Sequence, residues 1–439
     1  MEPPSTRRKF IVTLGAAGTI SLAGCSYIPG SDSSSSNTST TTNSTGTDSP
    51  TKPSGDTDTT DNNQNNDKSP SLPGASVDDF EGDVGSRWGI EYGKYTVKKQ
   101  DTFQGTQSLV LEPKNPKKGV VKISKSFYPK VLDLSKHDLS IAAKVNKPKT
   151  IRVKAEVIAP AESSKLLASR HIPIEQDGWV RFDLGYVKTK GNPVMDKVTQ
   201  INIQIGALGG PEQDFQVLID DLRKIPKPSK GKVMFQFDDA DITAYEQAFP
   251  VLKENGWPGS VAVTPDVING EDRMTEEHMR EMGKAGWDMM GHAGPILPKM
   301  NEQEQRRILQ KVKQYLNLKG HEKGARHFVA PRSRVSSTTL SLIDEIYETG
   351  FLFGGCPNNA QHPSNPNFIA RVQGPSVRDV RRILDVAEQT NQLVVISYHR
   401  IEHGENNVPM SEFRKVVDHV KEKDMDVITP SQFIDGKSS

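Results

Sequence analysis

The 439-residue chain has little of what defines several common protein classes. It has only two cysteines, Cys25 and Cys356, which excludes a disulfide framework and a cysteine-rich zinc module. Its 56 basic and 55 acidic residues leave a net charge of +1, without the basic excess that is typical of nucleic-acid-binding proteins. It has no run of about 18 apolar residues, so the sequence predicts no ordinary membrane-spanning helix. What it does have is ten histidines, enough for a metal site, and a length that predicts two or three domains.

The first 25 residues have the layout of an export signal. Arg7 and Arg8 precede a mostly apolar stretch over residues 11–23, which is too short to span a bilayer. The paired arginines make this segment similar to a twin-arginine signal. Residues 22–25 read Leu-Ala-Gly-Cys, which resembles the lipobox of prokaryotic lipoproteins. We therefore expect export, with lipid on Cys25 holding the protein at the outer face of a membrane; the alternative is an ordinary signal with a chance cysteine.

Residues 26–76 consist mainly of Ser, Thr, Asn, Asp, Gly and Pro and contain almost no apolar side chains. Such a segment cannot bury enough apolar surface to offset the entropy lost on ordering. The sequence therefore predicts a disordered tether, with glycosylation sequons at Asn37 and Asn43.

Residues 77–225 contain short segments in which apolar and polar residues alternate, for example over 108–112, 151–157 and 201–205. Alternation with a period of two is typical of strands that are buried on one face. We therefore predict an all-β sandwich. The order of its segments, from 79–81 to 217–223, resembles the jelly-roll modules found beside carbohydrate-active enzymes.

The resemblance implies two ligands for this sandwich. A structural calcium ion could be held by the oxygens of Glu81 and Asp221, which otherwise are turn or capping carboxylates. Glycan could be bound by aromatic rings that stack on sugars, although such rings are more often part of a core. The available rings are those of Trp88, Tyr92, Tyr95 and Trp179.

Residues 230–437 alternate between apolar strands and amphipathic helices, with helices predicted over 275–286, 302–318 and 338–349 and Thr275 as an N-cap. Regular alternation of this kind predicts a parallel α/β fold, either a barrel or a doubly wound sheet. In both folds, functional side chains lie where the strands end. The polar residues that directly follow predicted strands are Asp238, Asp239, His292, Arg332 and His399.

Two carboxylates and two histidines at one edge of a sheet are the components of a hydrolytic metal site. One carboxylate and one histidine can bind zinc, the second carboxylate can activate water, and the second histidine can protonate a leaving group. Each residue alone has an ordinary explanation, because a strand-end aspartate often caps a helix and a single histidine is usually structural.

The motifs around these residues, in their order along the chain, resemble those of the polysaccharide deacetylase (NodB-homology) family. The resemblance implies a distorted, incomplete (β/α) barrel that removes N- or O-acetyl groups from glycans with a divalent metal, most often zinc. It implies that Asp238 is the general base and His399 the general acid. It also implies that Asp239 and His292 are metal ligands. The motifs are Phe237-Asp238-Asp239, Gly291-His292, Pro331 and Ile396-Ser397-Tyr398-His399.

The sequence departs from the family pattern at three positions. Ala240 stands where the first motif usually ends in glycine. Ile296 stands where a second histidine ligand is usual, so either another residue supplies the third ligand or the site is altered or dead. His362 and His403 are candidates for that ligand, with an ordinary solvated loop histidine as the alternative for each. Val329 stands where an arginine is usual. We therefore expect Arg332 or Arg334 to orient Asp238, with a solvated surface charge as the alternative for both.

Two hypotheses follow for the whole protein. The first is a surface-anchored, metal-dependent polysaccharide deacetylase, with an O-acetyl esterase as a variant of the same chemistry. The second is a glycan-binding lipoprotein whose deacetylase domain has lost catalysis, because a fold does not guarantee an activity. Cys356 is expected to be a buried structural residue.

Overall fold

The computed structural model describes residues 72–436, except 116–118, 148–149, 174–177, 208–213 and 403–406. The predicted signal, Cys25, both sequons and His403 lie outside the described residues. Among the helices that are described, none combines the length and the apolar character that a membrane crossing needs.

Residues 75–226 form two antiparallel sheets, which we call the β-module. Its strands are β1 (Ala75–Asp78), β2 (Gly89–Tyr92), β3 (Lys94–Lys99), β4 (Gln107–Glu112), β5 (Val120–Ser126), β6 (His137–Lys147), β7 (Thr150–Ile158), β8 (Lys165–Pro173), β9 (Trp179–Asp183), β10 (Tyr186–Lys190), β11 (Gln200–Ala207) and β12 (Gln216–Pro226). One sheet has the order β3-β4-β12-β6-β9, with β1 also paired to β12. The other has the order β10-β8-β7-β11-β5-β2.

The two sheets share one hydrophobic core. Along β7 the burial alternates, so that Ile151, Val153 and Ala155 are buried while Lys154 is exposed. The strands predicted over 108–112, 151–157 and 201–205 are confirmed, although residues 108–111 are all buried and do not alternate. The jelly-roll arrangement stays a prediction.

Residues 231–434 form an α/β barrel. Its strands are β13 (Gly231–Phe237), β14 (Ser260–Val263), β15 (Asp288–His292), β16 (His327–Val329), β17 (Thr349–Phe353), β18 (Asn358–Asn359), β19 (Ile369–Gln373), β20 (Gln392–Tyr398), β21 (Arg400–Ile401), β22 (Asn407–Val408) and β23 (Met425–Val427). Its helices are α1 (Phe249–Glu254), α2 (Glu276–Lys284), α3 (Glu302–Leu318), α4 (Ser337–Ile346), α5 (Val377–Thr390), α6 (Met410–Lys421) and α7 (Pro430–Ile434).

Seven parallel strands close the barrel in the order β13-β14-β15-β16-β17-β19-β20, and β20 pairs again with β13. This closure confirms the predicted barrel over the alternative of an open doubly wound sheet. We call the end at which these strands begin the lower end and the end at which they finish the catalytic edge. Side chains that follow several strands can meet at the catalytic edge because the strands are parallel.

Local sequence signals set most helix boundaries. Helix α3 spans the predicted residues, and Asn301 caps it by accepting a hydrogen bond from the Glu304 amide. Thr275 caps α2 as predicted. The prediction that α4 runs on to Thr349 was wrong, because the helix ends at Ile346 and Thr349 and Gly350 belong to the buried strand β17.

The barrel has no α-helix between β17 and β19, where described residues 354–368 form only β18 and a single 3₁₀ turn. The β-module packs at this position. Leu352, Phe368 and Val386 of the barrel lie in the same hydrophobic cluster as the core of the β-module. The β-module therefore covers the part of the barrel that a helix would otherwise cover.

Buried polar contacts join the two parts. The fully buried Arg170 of β8 donates through Nη2 to the Phe368 carbonyl at 2.6 Å and through Nη1 to Asn358 Oδ1 at 3.3 Å. Its guanidinium also lies 3.9 Å from the sulfur of Cys356, which is buried as expected. A buried charge needs such partners, because a lone ion in the interior is strongly destabilising.

A second group of contacts lies at the lower end. Asn359 donates to Asp138 Oδ2 at 3.0 Å and to the Pro226 carbonyl at 2.8 Å, and Gln392 donates to Asp138 Oδ1 at 3.1 Å. Burial raises the pKa of Asp138 to about 7. Because Gln392 is the first residue of β20, these contacts place the end of β12 beside the start of the barrel strands.

The residues predicted to bind calcium have other partners. Glu81 accepts from the amides of Thr106 and Gln107 at 2.6 and 3.0 Å. Asp221 is buried and contacts the guanidinium groups of Arg181 and Arg223. Both carboxylates therefore have partners within the protein, and the calcium site stays a prediction.

The predicted aromatic platforms fall into two groups. Trp88 is buried and stacks on Phe80 with ring centroids 5.4 Å apart, so it is a core residue. Tyr95 and Trp179 are half-buried, and the indole of Trp179 donates to Asp101 at 3.2 Å. Tyr92 is 59% exposed. Of the four residues, only Tyr92 is more than half exposed.

Candidate active site

Four of the sequence-predicted side chains meet at the catalytic edge. Asp238 and Asp239 directly follow β13, His292 is the last residue of β15, and His399 directly follows β20. Because β13 pairs with β20 and lies near β15 through β14, these residues face one another across the mouth of the barrel. The structure thus brings together residues that are up to 161 positions apart in the sequence (399 − 238).

Asp238 is buried beside an arginine and a histidine. Its Oδ1 accepts a hydrogen bond from Nη1 of Arg371 at 2.6 Å, and its Oδ2 lies 3.7 Å from Nε2 of His399. Its amide donates to the Tyr398 carbonyl at 2.8 Å. Burial alone would raise the pKa of Asp238, but Arg371 and His399 outweigh burial and hold the pKa below its ordinary value. Asp238 is therefore an ionised carboxylate held in one orientation.

Asp239 and His292 form a second pair. Nε2 of His292 lies 3.4 Å from Oδ1 of Asp239, and Nδ1 of His292 donates to the Val329 carbonyl at 2.8 Å. Despite burial, the neighbouring imidazole lowers the pKa of Asp239, and the carboxylate raises the pKa of His292. A hydrogen bond from Nδ1 to a carbonyl leaves Nε2 as the ligating nitrogen, which is the usual arrangement of a metal-binding histidine.

The spacing of this pair fits a divalent metal. Zinc bonds of about 2.0–2.1 Å in a tetrahedron place neighbouring ligand atoms roughly 3.3–3.4 Å apart, and the Asp239–His292 distance is 3.4 Å. A third protein ligand is not found: within the described ranges, no group of three or more His, Cys, Asp or Glu side chains is arranged to hold a metal ion. The residues present therefore fit two of the usual three protein ligands.

Two of the positions considered for the third metal ligand, 296 and 362, do not complete the site. Residues 293–296 are not helical, and Ile296 is half-buried in an extended conformation. The segment that carries His362 pairs with the first residues of β20, whereas His399 follows the last, about 20 Å away along the strand. His362 is therefore at the lower end and cannot be the missing ligand.

Two non-glycine residues that follow β13 have a left-handed backbone conformation. The φ angles are 67° at Asp239 and 47° at Ala240, a conformation that costs non-glycine residues about 1–2 kcal/mol each. It is held by a bond from Arg273 to the Asp239 carbonyl and by two backbone bonds of Ala240, to Ala262 and Met274. This conformation explains why glycine suits the position of Ala240 in related motifs.

Arg371 was missed by the sequence analysis. It lies in β19, and its guanidinium supplies the contact with Asp238 for which Arg332 and Arg334 were the candidates. Arg332 is exposed, with φ at 51°, in the turn after β16. The only sequence signal for Arg371 was its place within a short apolar segment that predicts a strand. That signal does not reveal which carboxylate the side chain contacts.

The sequence analysis also did not identify the residues that hold the segment around His399, whose side chain is 55% exposed. Asp241 forms an ion pair with Arg400 at 2.7 Å and accepts from the hydroxyl of Thr243 at 2.7 Å. That hydroxyl accepts in turn from the amide of Ile401 at 3.1 Å. The loop after β13 therefore fixes the residues on the C-terminal side of His399.

Replacing Arg371 is expected to reduce any hydrolysis at this site without removing a metal ligand. Arg371→Met should lower kcat about 100-fold, because Asp238 would lose its orienting charge, whereas Arg371→Lys should retain activity within about tenfold of the wild type. Steady-state kinetics on both variants, with metal content as a control, measures this. Equal losses in the two variants would mean that Arg371 only supports the fold.

Comparison with known proteins agrees with the motifs. Residues 226–347 match the family model described as polysaccharide deacetylase. This range includes Asp238, Asp239 and His292 and ends before Arg371 and His399. A stretch of 66 residues, 15% of this chain, is 35% identical to a Bacillus subtilis (strain 168) protein named "Putative polysaccharide deacetylase YxkH". The chain spans about a quarter, 24%, of the length of that relative.

Two solved structures are also similar. A Streptococcus pyogenes deacetylase, PplD, in complex with acetate is 23% identical over 33% of this chain and 65% of that chain, with a TM-score of 0.31. The Xyl-CE4 domain of a multidomain xylanase from the hindgut metagenome of Trinervitermes trinervoides is 13% identical over 47% of this chain and 91% of that chain, with a TM-score of 0.35. The family match shows that residues 226–347 are similar to polysaccharide deacetylases.

Proposed function

We propose that this protein is a metal-dependent polysaccharide deacetylase that acts at the outer face of a membrane and removes acetyl groups, mainly N-acetyl groups, from glycans. The observation that carries the proposal is the meeting of Asp238, Asp239, His292 and His399 at one edge of the barrel. A polysaccharide or oligosaccharide is the expected substrate, and nucleic acid is not an expected partner.

The residues have distinct roles in the proposed reaction. Asp239 and His292 would hold the divalent metal, with zinc as the first choice, and the bound ion would supply polarisation of the acetyl carbonyl. Asp238 accepts a proton from the water that attacks the acetyl carbon, while Arg371 keeps the carboxylate ionised and oriented. His399, in its protonated form, donates a proton to the amine nitrogen as the carbon–nitrogen bond breaks. The products are acetate and a free amine on the sugar.

The location of the protein is proposed from its first 25 residues. A twin-arginine-like signal and lipid on Cys25 would export the chain and hold it at the outer face of the membrane. The predicted tether over 26–76 would then connect Cys25 to the folded part.

A second candidate function is glycan binding without catalysis. It is favoured by Ile296 and Val329, which stand where the family usually has a ligand and an arginine. The contact between Arg371 and Asp238 argues against it, because the site keeps an oriented carboxylate although Val329 has replaced the usual arginine.

Metal content and acetate release together test the proposal. The chain purified without chelator should hold about one divalent ion, which Asp239→Ala should lose. Asp266→Ala is the matched control, because Asp266 follows β14 at the same edge but its exposed carboxylate pairs with Lys311. Acetate release from N-acetylated oligosaccharides should stop with chelator and return with zinc. A chain that binds no metal in excess zinc and releases no acetate would leave the glycan-binding alternative.

A further inference from the structure

Large apolar side chains are exposed mainly at one end of the molecule. Eight of them are exposed among the described residues, and five belong to loops or helix ends at the lower end. We call these five the basal surface: Tyr128, Val131, Val194, Leu318 and Ile434, which are 83, 52, 43, 77 and 38% exposed. Several large apolar side chains exposed at the same end of a folded protein suggest a contact surface, and most strongly where they lie on adjoining loops.

Three members of the basal surface lie on two adjacent loops of the β-module. The loop after β5 carries Tyr128 and Val131, and the loop before β11 carries Val194. Backbone bonds join the loops, because Leu132 and Val198 exchange two bonds of 2.9 and 3.1 Å. The three side chains therefore project from one structural element.

The other two members lie at the lower end of the barrel. Leu318 ends α3, which follows β15 and runs back towards the start of the strands. Ile434 ends α7, whose Ser431 amide donates to Asp288, the first residue of β15, at 2.8 Å. The contacts of Asn359 with Asp138 and Pro226 bring this end of the barrel beside the same end of the β-module.

The chain enters the folded part at this end. Ala75 pairs with Lys224, two residues before β12 ends, and Arg223 donates to the carbonyls of Pro73 and Gly74 at 2.9 Å. The residues that lead from Cys25 therefore join the structure on the side of the basal surface. The catalytic edge is at the opposite end of the barrel strands, about 20 Å away.

We propose that the basal surface contacts a lipid bilayer. Apolar side chains on adjacent loops can enter the boundary between headgroups and acyl chains, and nearby lysines can reach lipid phosphates. Lys130, Lys136 and Lys197 are exposed on the same loops, against the exposed carboxylates of Asp133 and Asp196. Because this positive excess is small, apolar burial provides most of the binding and salt weakens it only in part.

The proposed contact would orient the enzyme. With the basal surface on the bilayer, the catalytic edge faces away from the lipid towards extracellular glycan, which a tether alone would not ensure. The consequence for catalysis rests on the proposed deacetylase function, whereas lipid binding itself does not.

Vesicle binding by residues 70–439, which form one compact unit without the signal and Cys25, tests the proposal. Vesicles of equal parts phosphatidylglycerol and phosphatidylcholine are floated with the protein. The triple variant Tyr128→Ser, Val131→Ser, Val194→Ser should bind about tenfold more weakly. The matched control is Ile90→Ser, Tyr92→Ser, Val97→Ser, which changes three other exposed apolar residues, on strands β2 and β3. It should bind within about twofold of the wild type.

The outcomes separate this proposal from the proposed function. A wild-type protein that does not float with vesicles, or equal losses in both triple variants, overturns the membrane contact. A concentration-dependent dimer in light scattering, abolished by the first triple variant, would assign the basal surface to a second copy instead. Acetate release from a soluble substrate is measured on the same proteins. Its loss or retention reports on the deacetylase function and not on the lipid contact.

Discussion

Asp238→Asn is expected to lower kcat/KM for acetate release by about 10²–10⁴-fold, the range that general acid–base catalysis contributes. Asp238 is the carboxylate that Arg371 orients and that faces His399, and an amide cannot accept the proton from the attacking water. Because Asp239 and His292 are the proposed metal ligands, the variant should keep its metal. Loss of activity with retained metal distinguishes a general base from a ligand.

The same variant should also be less stable. Arg371 would remain buried opposite a neutral amide, and breaking a buried ion pair costs about 3–5 kcal/mol. Activity therefore has to be compared at a temperature at which circular dichroism shows both proteins folded. Asp266→Asn is the control for a carboxylate at the same edge, and its activity should not change. If Asp238→Asn stays within tenfold of the wild type, another residue activates the water.

Removal of the β-module is expected to prevent folding of the barrel. A chain of residues 228–439 would expose Leu352, Phe368 and Val386, which pack in the core of the β-module. It would also leave Asn359 and Gln392 without their partner Asp138. Because burial of apolar surface is the main stabilising contribution and stability is only about 5–15 kcal/mol, this loss should be decisive. We expect aggregated protein without a cooperative thermal transition.

Residues 70–439 are the positive control, since they contain both cores. A single substitution in the chain that contains both the β-module and the barrel measures how much the contacts between them contribute to the free energy of unfolding. Arg170→Ala should lower the free energy of unfolding by about 3–5 kcal/mol through the lost bonds to Phe368 and Asn358. Arg307→Ala changes an exposed arginine of α3 and should have an effect within about 0.5 kcal/mol. A soluble, monomeric 228–439 chain with a cooperative transition would show that the barrel is independent.

Features encoded over short stretches could be predicted from the sequence. The alternation around Ile151 and Ile203 indicated strands, and the apolar spacing over Glu302–Leu318 indicated a helix, because each pattern reflects one buried face of one element. The meeting of Asp238, Asp239, His292 and His399 could also be predicted. Parallel strands place the residues that follow them at one edge, so strand order alone implied the juxtaposition.

Contacts between distant parts of the chain were decided by the tertiary structure. Arg371 reaches Asp238 across 133 residues, and no local pattern distinguishes it from Arg332, which had the same charge and a more suggestive position. The failure of His362 as a ligand has the same cause, because its loop runs back to the lower end. A side chain's charge can be read from the sequence, but its partner depends on which strands are neighbours.

The relation between the two domains was likewise decided only by the fold. Alternating strands predicted the β-module, and alternating strands and helices predicted the barrel, as if each were complete. The barrel lacks a helix between β17 and β19, and the β-module buries the surface left there through Leu352 and Phe368. Sequence patterns show which face of an element is apolar, whereas the surface that covers it is determined by packing across the whole chain.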